Sequence, residues 1–203
     1  MLKFLLKCFA VTSIFLGSSL LASDTDIREI STQFTQRADQ IMQIVNNKKL
    51  TKKERNTQII SVVDPMFDFM LMGKLSLGKK IWRSLSQEKK EAFTKLYVQR
   101  MKNSYSKKVD SYTDEKIVIS SSSQEKGNRI TLITNLVGSD GNTEVIYKYY
   151  KPKKPQNNKD NWLVYDAVIV GVSIIKTDRS QFKEFLRSNS IDALMKKMEV
   201  SEE

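Results

Sequence analysis

The sequence predicts an α+β domain, an antiparallel four-stranded curved sheet in meander order with helices covering one face, and three observations predict it. Apolar residues recur at steps of three and four from residue 25 to about 109, alternate with a period of two between 117 and 170, and return to helical spacing after 178. The alternating segments are separated by polar turn clusters with no intervening helix, so consecutive strands pair antiparallel. Helices, then strands, then helices is the order of a sheet with helices segregated to one face.

Taken in order, Ile27, Ile30, Phe34, Ala38, Ile41 and Val45 make one face of an amphipathic helix over 25–46, and Asn46-Asn47 ends it. Thr51 opens a second helix running to 63, with Ile59, Ile60 and Val63 on its apolar face. Asp64-Pro65 pairs an acidic N-cap with proline at the first helical position, where a missing N–H costs nothing. A third, short helix carrying Met66, Phe67, Phe69, Met70 and Leu71 is expected to follow. Ser86 caps a fourth, with Glu88 favourable in its first turn and an end near Val109. Strands are expected over 117–122, 129–137, 143–150 and 162–170. Lys126-Gly127-Asn128 and Ser139-Asp140-Gly141-Asn142 supply hairpin turns, and 152–160 a longer polar loop. Asp178 and Gln181 form a capping-box pattern ahead of Phe182, Phe185 and Leu186, and a last helix over 190–199 buries Ile191, Leu194, Met195 and Met198.

The ends and the composition bound the chemistry. Lys3 and Lys7 precede an apolar run over 8–21, and Ala22 and Ser23 stand before the first acidic residue, Asp24. That order is expected of a cleaved secretory signal over 1–22, leaving 23–203 as a single exported domain. The run is short of the roughly 20 apolar residues that a spanning helix needs. The one cysteine, Cys8, lies inside the signal, so the mature chain is expected to hold itself by burial without disulfide or lipid anchor. Histidine is absent, which removes the commonest general base and zinc ligand. No metal or cofactor is expected. The formal charge of +11 suits anionic lipid surfaces or acidic partners, and export argues against nucleic acid.

Two blocks are more specific than periodicity requires. One is Phe67-Asp68-Phe69-Met70-Leu71-Met72-Gly73-Lys74-Leu75-Ser76-Leu77-Gly78 with Trp82, and the other is Trp162-Leu163-Val164-Tyr165-Asp166 with Gly171-Val172-Ser173. Together they resemble the MlaC family, also known as toluene-tolerance or phospholipid-binding proteins of the Mla ABC transport system, and the resemblance extends from about Ile30 to Leu194. It implies a periplasmic carrier holding phospholipid tails in an apolar cavity between sheet and helices. It further implies bound phospholipid as cargo and only transient membrane contact. The implied partners are an outer-membrane Mla lipoprotein complex and the inner-membrane Mla ABC transporter complex, in a system that maintains outer-membrane lipid asymmetry. A glutamate commonly precedes the Gly-Val-Ser triplet in the family, where this chain has Val170, so partner contacts are not carried over there.

The resemblance also implies lining residues. Phe69, Met70, Met72, Leu75, Leu77 and Trp82 come from the first block, and unbranched methionines repack around chains of varying shape. The Ser86 helix offers Phe93, Leu96, Tyr97, Met101 and Tyr105. The strands offer Val145, Tyr147, Trp162, Tyr165, Val168, Val170 and Val172, and the helix beyond them Phe182. The plain alternative for each is core packing, since apolar stripes at helical spacing are usually core. The basic loop over 151–159 and the lysines of the Ser86 helix suit an anionic surface, or are simply solvated. Ser173 invites comparison with a nucleophile elbow, but the final glycine of G-x-S-x-G is missing and no histidine can act as base. Asp64 and Asp68, four apart, read as helix-capping carboxylates. The alternatives to a carrier are an exported lipid-modifying hydrolase and a basic surface-binding adaptor with no ligand cavity.

Overall fold

The computed structural model describes residues 24–109, 116–125, 127–139 and 141–200, side chains of 105–109 and 200 excepted. The expected signal over 1–22 lies outside them. Helices α1 (Asp24–Asn46) and α2 (Lys52–Val63) form where the apolar period places them. Thr51 closes a capping box on α2: its hydroxyl accepts from the Glu54 amide while the Glu54 carboxylate accepts from Thr51 N.

The next segment differs from expectation. Asp64-Pro65 starts only a 3-10 turn, Asp64–Met66. Phe67 then runs extended beside β4, bridging Val164, and Asp68 N donates to Val164 O at 3.0 Å. The helix proper, α3 (Phe69–Leu77), begins at Asp68, whose carboxylate accepts from the Leu71 amide at 2.8 Å. A short α4 (Lys79–Ser84), which the apolar pattern does not mark, follows. Gly78 joins the two at φ 79, a left-handed conformation that glycine adopts without strain. Helix α5 (Gln87–Val109) starts as expected, with Ser86 Oγ accepting from Lys89 N.

Strands β1 (Lys116–Gln124), β2 (Arg129–Gly138), β3 (Gly141–Tyr150), β4 (Leu163–Ile169) and β5 (Val172–Ser173) pair antiparallel in sequence order. The fifth, two residues long, folds back on β4 through Val170 and Gly171, both at positive φ. A two-residue hairpin needs that geometry, and valine adopts it at a cost. Two bulges interrupt the ladders, at Ser120 in β1 and at Tyr165 in β4. A bulge bends its strand, and beyond it the side chains change face.

Helix α6 (Ile174–Phe185) begins earlier than the capping-box pattern suggests, because Ser173 caps it by accepting from Lys176 N. Asp178 is therefore not a cap but a buried side chain one turn inside. Its carboxylate accepts from Tyr97 Oη at 2.9 Å and from Arg100 Nη1 at 2.8 Å, and Ser76 Oγ donates to the same tyrosine oxygen. Around this cluster α4, α5 and α6 pack through Trp82, Phe93, Tyr97 and Phe182, with ring centroids 5.9 to 6.4 Å apart. Helix α7 (Ile191–Val200) packs on α5, burying Leu194 and Met198. Replacing Asp178 with alanine leaves the Tyr97 hydroxyl and the Arg100 guanidinium without their acceptor. The variant is expected to lose about 3 kcal/mol in urea unfolding, at the low end for a broken buried pair because Arg100 still reaches water. A loss under about 1 kcal/mol would mean the cluster is no tighter than a surface pair.

Candidate functional site

Between the sheet and the α1–α2 pair lies an open cavity. Its floor is the inner face of the sheet. Leu136 and Thr134 of β2 stand beside Val145 and Tyr147 of β3, and Ala167 and Ile169 of β4 pair with the latter two. Phe34, Ala38 and Ile41 form the α1 wall, and Ile59, Ile60 and Val63 the α2 wall. Met66, Phe67 and Phe69 close one end. Phe34 meets Tyr147 across the space with ring centroids 5.0 Å apart. The space remains because small side chains, Ala38, Thr134 and Ala167, occupy inward positions that larger residues would fill. Thr134 spends its hydroxyl on Val145 O, which leaves the floor nearly apolar. Asn56 lines the α2 side, its buried Oδ1 unpartnered among the described residues.

Charge collects at one edge. Arg37 Nη1 donates to Val62 O at 2.7 Å, and Nη2 pairs with Asp160 at 2.6 Å. Asp64 receives Lys102 at 3.2 Å and Lys159 at 2.8 Å. Burial works against the Asp64 charge, but the two lysines outweigh it and hold the carboxyl below its ordinary pKa. The basic loop between β3 and β4 is no free arm. Lys151 pairs with Asp26, Gln156 donates to Asp68, and Asp160 N donates to Pro65 O. These bonds tie the loop across α1 and the start of α3.

The structure distributes the sequence candidates unevenly. Phe69, Val145 and Tyr147 line the cavity. Met72, Leu77, Trp82, Phe93, Tyr97, Met101 and Phe182 sit in the packed core, with Leu75 and Leu96 half-buried against it. Met70 is 56% exposed, in a shallow hollow beside Lys74 and Thr94. Trp162 is buried and its indole donates to Asp26 at 3.1 Å. Tyr165, the bulge residue, packs edge-on against Tyr150 under the Arg129 guanidinium. Val168 pairs with Ile146 on the face opposite Ala167 and Ile169, while Val170 and Val172 are exposed at the hairpin. The Tyr105 side chain lies outside those described. The α1 and α2 wall residues belong to stripes legible as helix faces. A small Ala38 among large neighbours is the one local sign that this face borders a space.

Two further carboxylates, Asp166 and Asp68, have structural partners. Ser173 Oγ donates to Asp166 at 2.7 Å, inside a buried corner where Ile175 N also donates to Asp166. The same Ser173 hydroxyl accepts from Lys176 N, so both its roles are spent on the corner. Asp68 caps α3 and accepts from Tyr150 Oη and Gln156. No cluster of three or more His, Cys, Asp or Glu side chains suited to a metal occurs among the described residues, and no described helix is long and apolar enough to cross a membrane.

Fold and cavity together define a class, an α+β domain built around an open apolar pocket with a charged edge. The MlaC protein family matches residues 35–200, and the chain belongs to that family. It is 27% identical over 202 residues to the intermembrane phospholipid transport system binding protein MlaC of Haemophilus influenzae, covering 96% of this chain and 92% of that protein. Among solved structures it is similar to a phospholipid-binding protein from Ralstonia solanacearum, determined in complex with a phospholipid at 1.53 Å. That likeness has a TM-score of 0.69 and 13% identity, over 83% of this chain and 93% of the other, and speaks to fold.

The Asp64 shift has a consequence for pH. A carboxyl whose pKa is lower in the folded state contributes stability above its unfolded pKa, and that contribution is lost as pH falls through the folded value. Thermal melts from pH 7 down to pH 3 are expected to show the native chain losing more than an Asp64→Asn variant, which melts lower at neutral pH and changes less on acidification. Parallel curves would show that Asp64 contributes nothing through its charge.

Proposed function

We propose that the protein is a periplasmic phospholipid carrier that holds acyl tails in this cavity and passes lipid between an outer-membrane lipoprotein complex and an inner-membrane ABC transporter. The observation that carries the proposal is the open, apolar cavity between sheet and α1–α2. Membership of the MlaC family supports the reading, as does the name of the Haemophilus relative.

Energetics shape the mechanism. Burying a tail of about 16 carbons is worth about 0.8 kcal/mol per CH₂, or roughly 13 kcal/mol per chain before losses. The tails therefore go inside, and an anionic headgroup stays where the lining meets water. Spontaneous release is slow for the same reason. Handover depends on a partner that binds the emptied or opened state better than the loaded one.

Protein purified from the periplasm is expected to yield intact diacyl phospholipid on extraction with organic solvent and mass spectrometry. Lipid-free protein that also takes none from vesicles would overturn the proposal, and conversion of labelled phospholipid to fatty acid would favour a hydrolase. Ala167→Trp fills the floor beside Tyr147. It is expected to fold with a stability change within about 1.5 kcal/mol, because an open space receives the ring, yet to retain at most about a tenth of the lipid, equivalent to about 1.4 kcal/mol of binding. Full lipid content in the folded variant would place the ligand elsewhere.

A further inference from the structure

The charges at the cavity edge do not balance, and the imbalance falls on one residue. Among the described residues, Asp64 is the single carboxylate shared by Lys102 and Lys159. Lys159 is fully engaged: its ammonium donates to Asp64 Oδ2 at 2.8 Å and to Asp64 O at 2.6 Å, and stands 5.6 Å from the centre of the Phe69 ring. Arg37 is likewise committed to Asp160 and to Val62 O. Among the described residues, Lys102 is held only by the longer 3.2 Å contact with a carboxylate that Lys159 already neutralises. An ammonium has three donors to place.

Lys102 also lies where an amphiphile changes character. It lines the cavity together with Asp64, whose side chain is 38% exposed, so this stretch of lining is where the apolar space meets water. A phospholipid with its tails inside presents an anionic phosphodiester at that boundary. A charge-assisted bond to phosphate oxygen is shorter and stronger than one between neutral groups. The partly desolvated cation of Lys102 meets this requirement without breaking the Asp64–Lys159 pair.

We propose that Lys102 is the phosphate-recognising residue of the cavity, donating from its ammonium to a non-bridging phosphodiester oxygen of the bound lipid. Lys159 meanwhile neutralises Asp64, so that the carboxylate does not repel the incoming anion. This rests on the carrier reading and adds to it a selection for phosphate-bearing diacyl lipids over neutral ones with the same tails.

The test titrates delipidated protein with phosphatidylglycerol and with diacylglycerol of matched tails. The native chain is expected to prefer phosphatidylglycerol by about tenfold, the scale of one charge-assisted hydrogen bond. Lys102→Gln should lose that preference while keeping its affinity for diacylglycerol, which also reports that the variant is folded. Asp64→Asn removes the competing acceptor and should bind phosphatidylglycerol at least as tightly as the native chain. Opposite signs for the two variants distinguish recognition from a merely structural ion pair, which predicts that both weaken both lipids; that result would overturn the proposal. Equal affinity of the native chain for both lipids would also overturn it while leaving the carrier standing. Failure to bind either lipid would remove the carrier reading itself. Inorganic phosphate, added at constant ionic strength, is expected to leave phosphatidylglycerol bound. Displacement would reassign Lys102 to free phosphate.

Discussion

An apolar space inside a folded chain has to be kept from closing. Atoms that line a void forfeit dispersion contacts on one side, and a lining free to move would recover them by collapse. Here the walls are not free. Arg37 clamps α1 to the end of α2 through Val62 O and to the β3–β4 loop through Asp160. Asp64 binds that loop through Lys159 and α5 through Lys102. The N-terminal end of α1 is fastened again, where Asp26 takes both Lys151 and the Trp162 indole. The helices are thus spaced from the sheet by polar bonds around the edge of the cavity, and the interior need not supply packing to hold them.

That arrangement divides the helical layer by chemistry. On one side α4, α5 and α6 are locked by stacked and edge-on aromatic rings over the buried Asp178–Tyr97–Arg100 cluster. Burial and the neighbouring Asp178 charge raise the Tyr97 phenol well above its ordinary pKa, so it remains a hydrogen-bond donor at any physiological pH. On the other side α1 and α2 face the sheet across open space. Element α5 belongs to both, with Phe93 and Tyr97 in the dense half and Lys102 at the edge of the cavity. A carrier needs this combination of a rigid half that keeps the sheet and helix scaffold in place and a second half whose contacts with cargo substitute for core packing.

Much of the fold was legible because burial imposes a period on any sequence that folds this way. The α1 stripe, the four main strands and the caps at Thr51 and Ser86 all stand where local pattern put them. The structure departs from the local pattern where two capping signals compete. Asp64-Pro65 looks like a helix start, yet Asp68 four residues later makes the cap, because the segment between them pairs with β4. Asp178-x-x-Gln181 looks like a capping box, yet Ser173 had already started the helix.

By itself the sequence determined the fold class and the identity of the apolar faces, because side-chain periodicity and capping chemistry act over a few residues. Which apolar faces enclose a space was decided only by the tertiary structure. A stripe such as Phe34, Ala38 and Ile41 reads the same whether it meets packed atoms or a cavity. The difference lies in what stands opposite, here Thr134 and Ala167, more than ninety residues away in the chain. The bulge at Tyr165 settled the floor in the same way, turning Ala167 and Ile169 inward and Val168 out through a one-residue irregularity that no period in the strand announces.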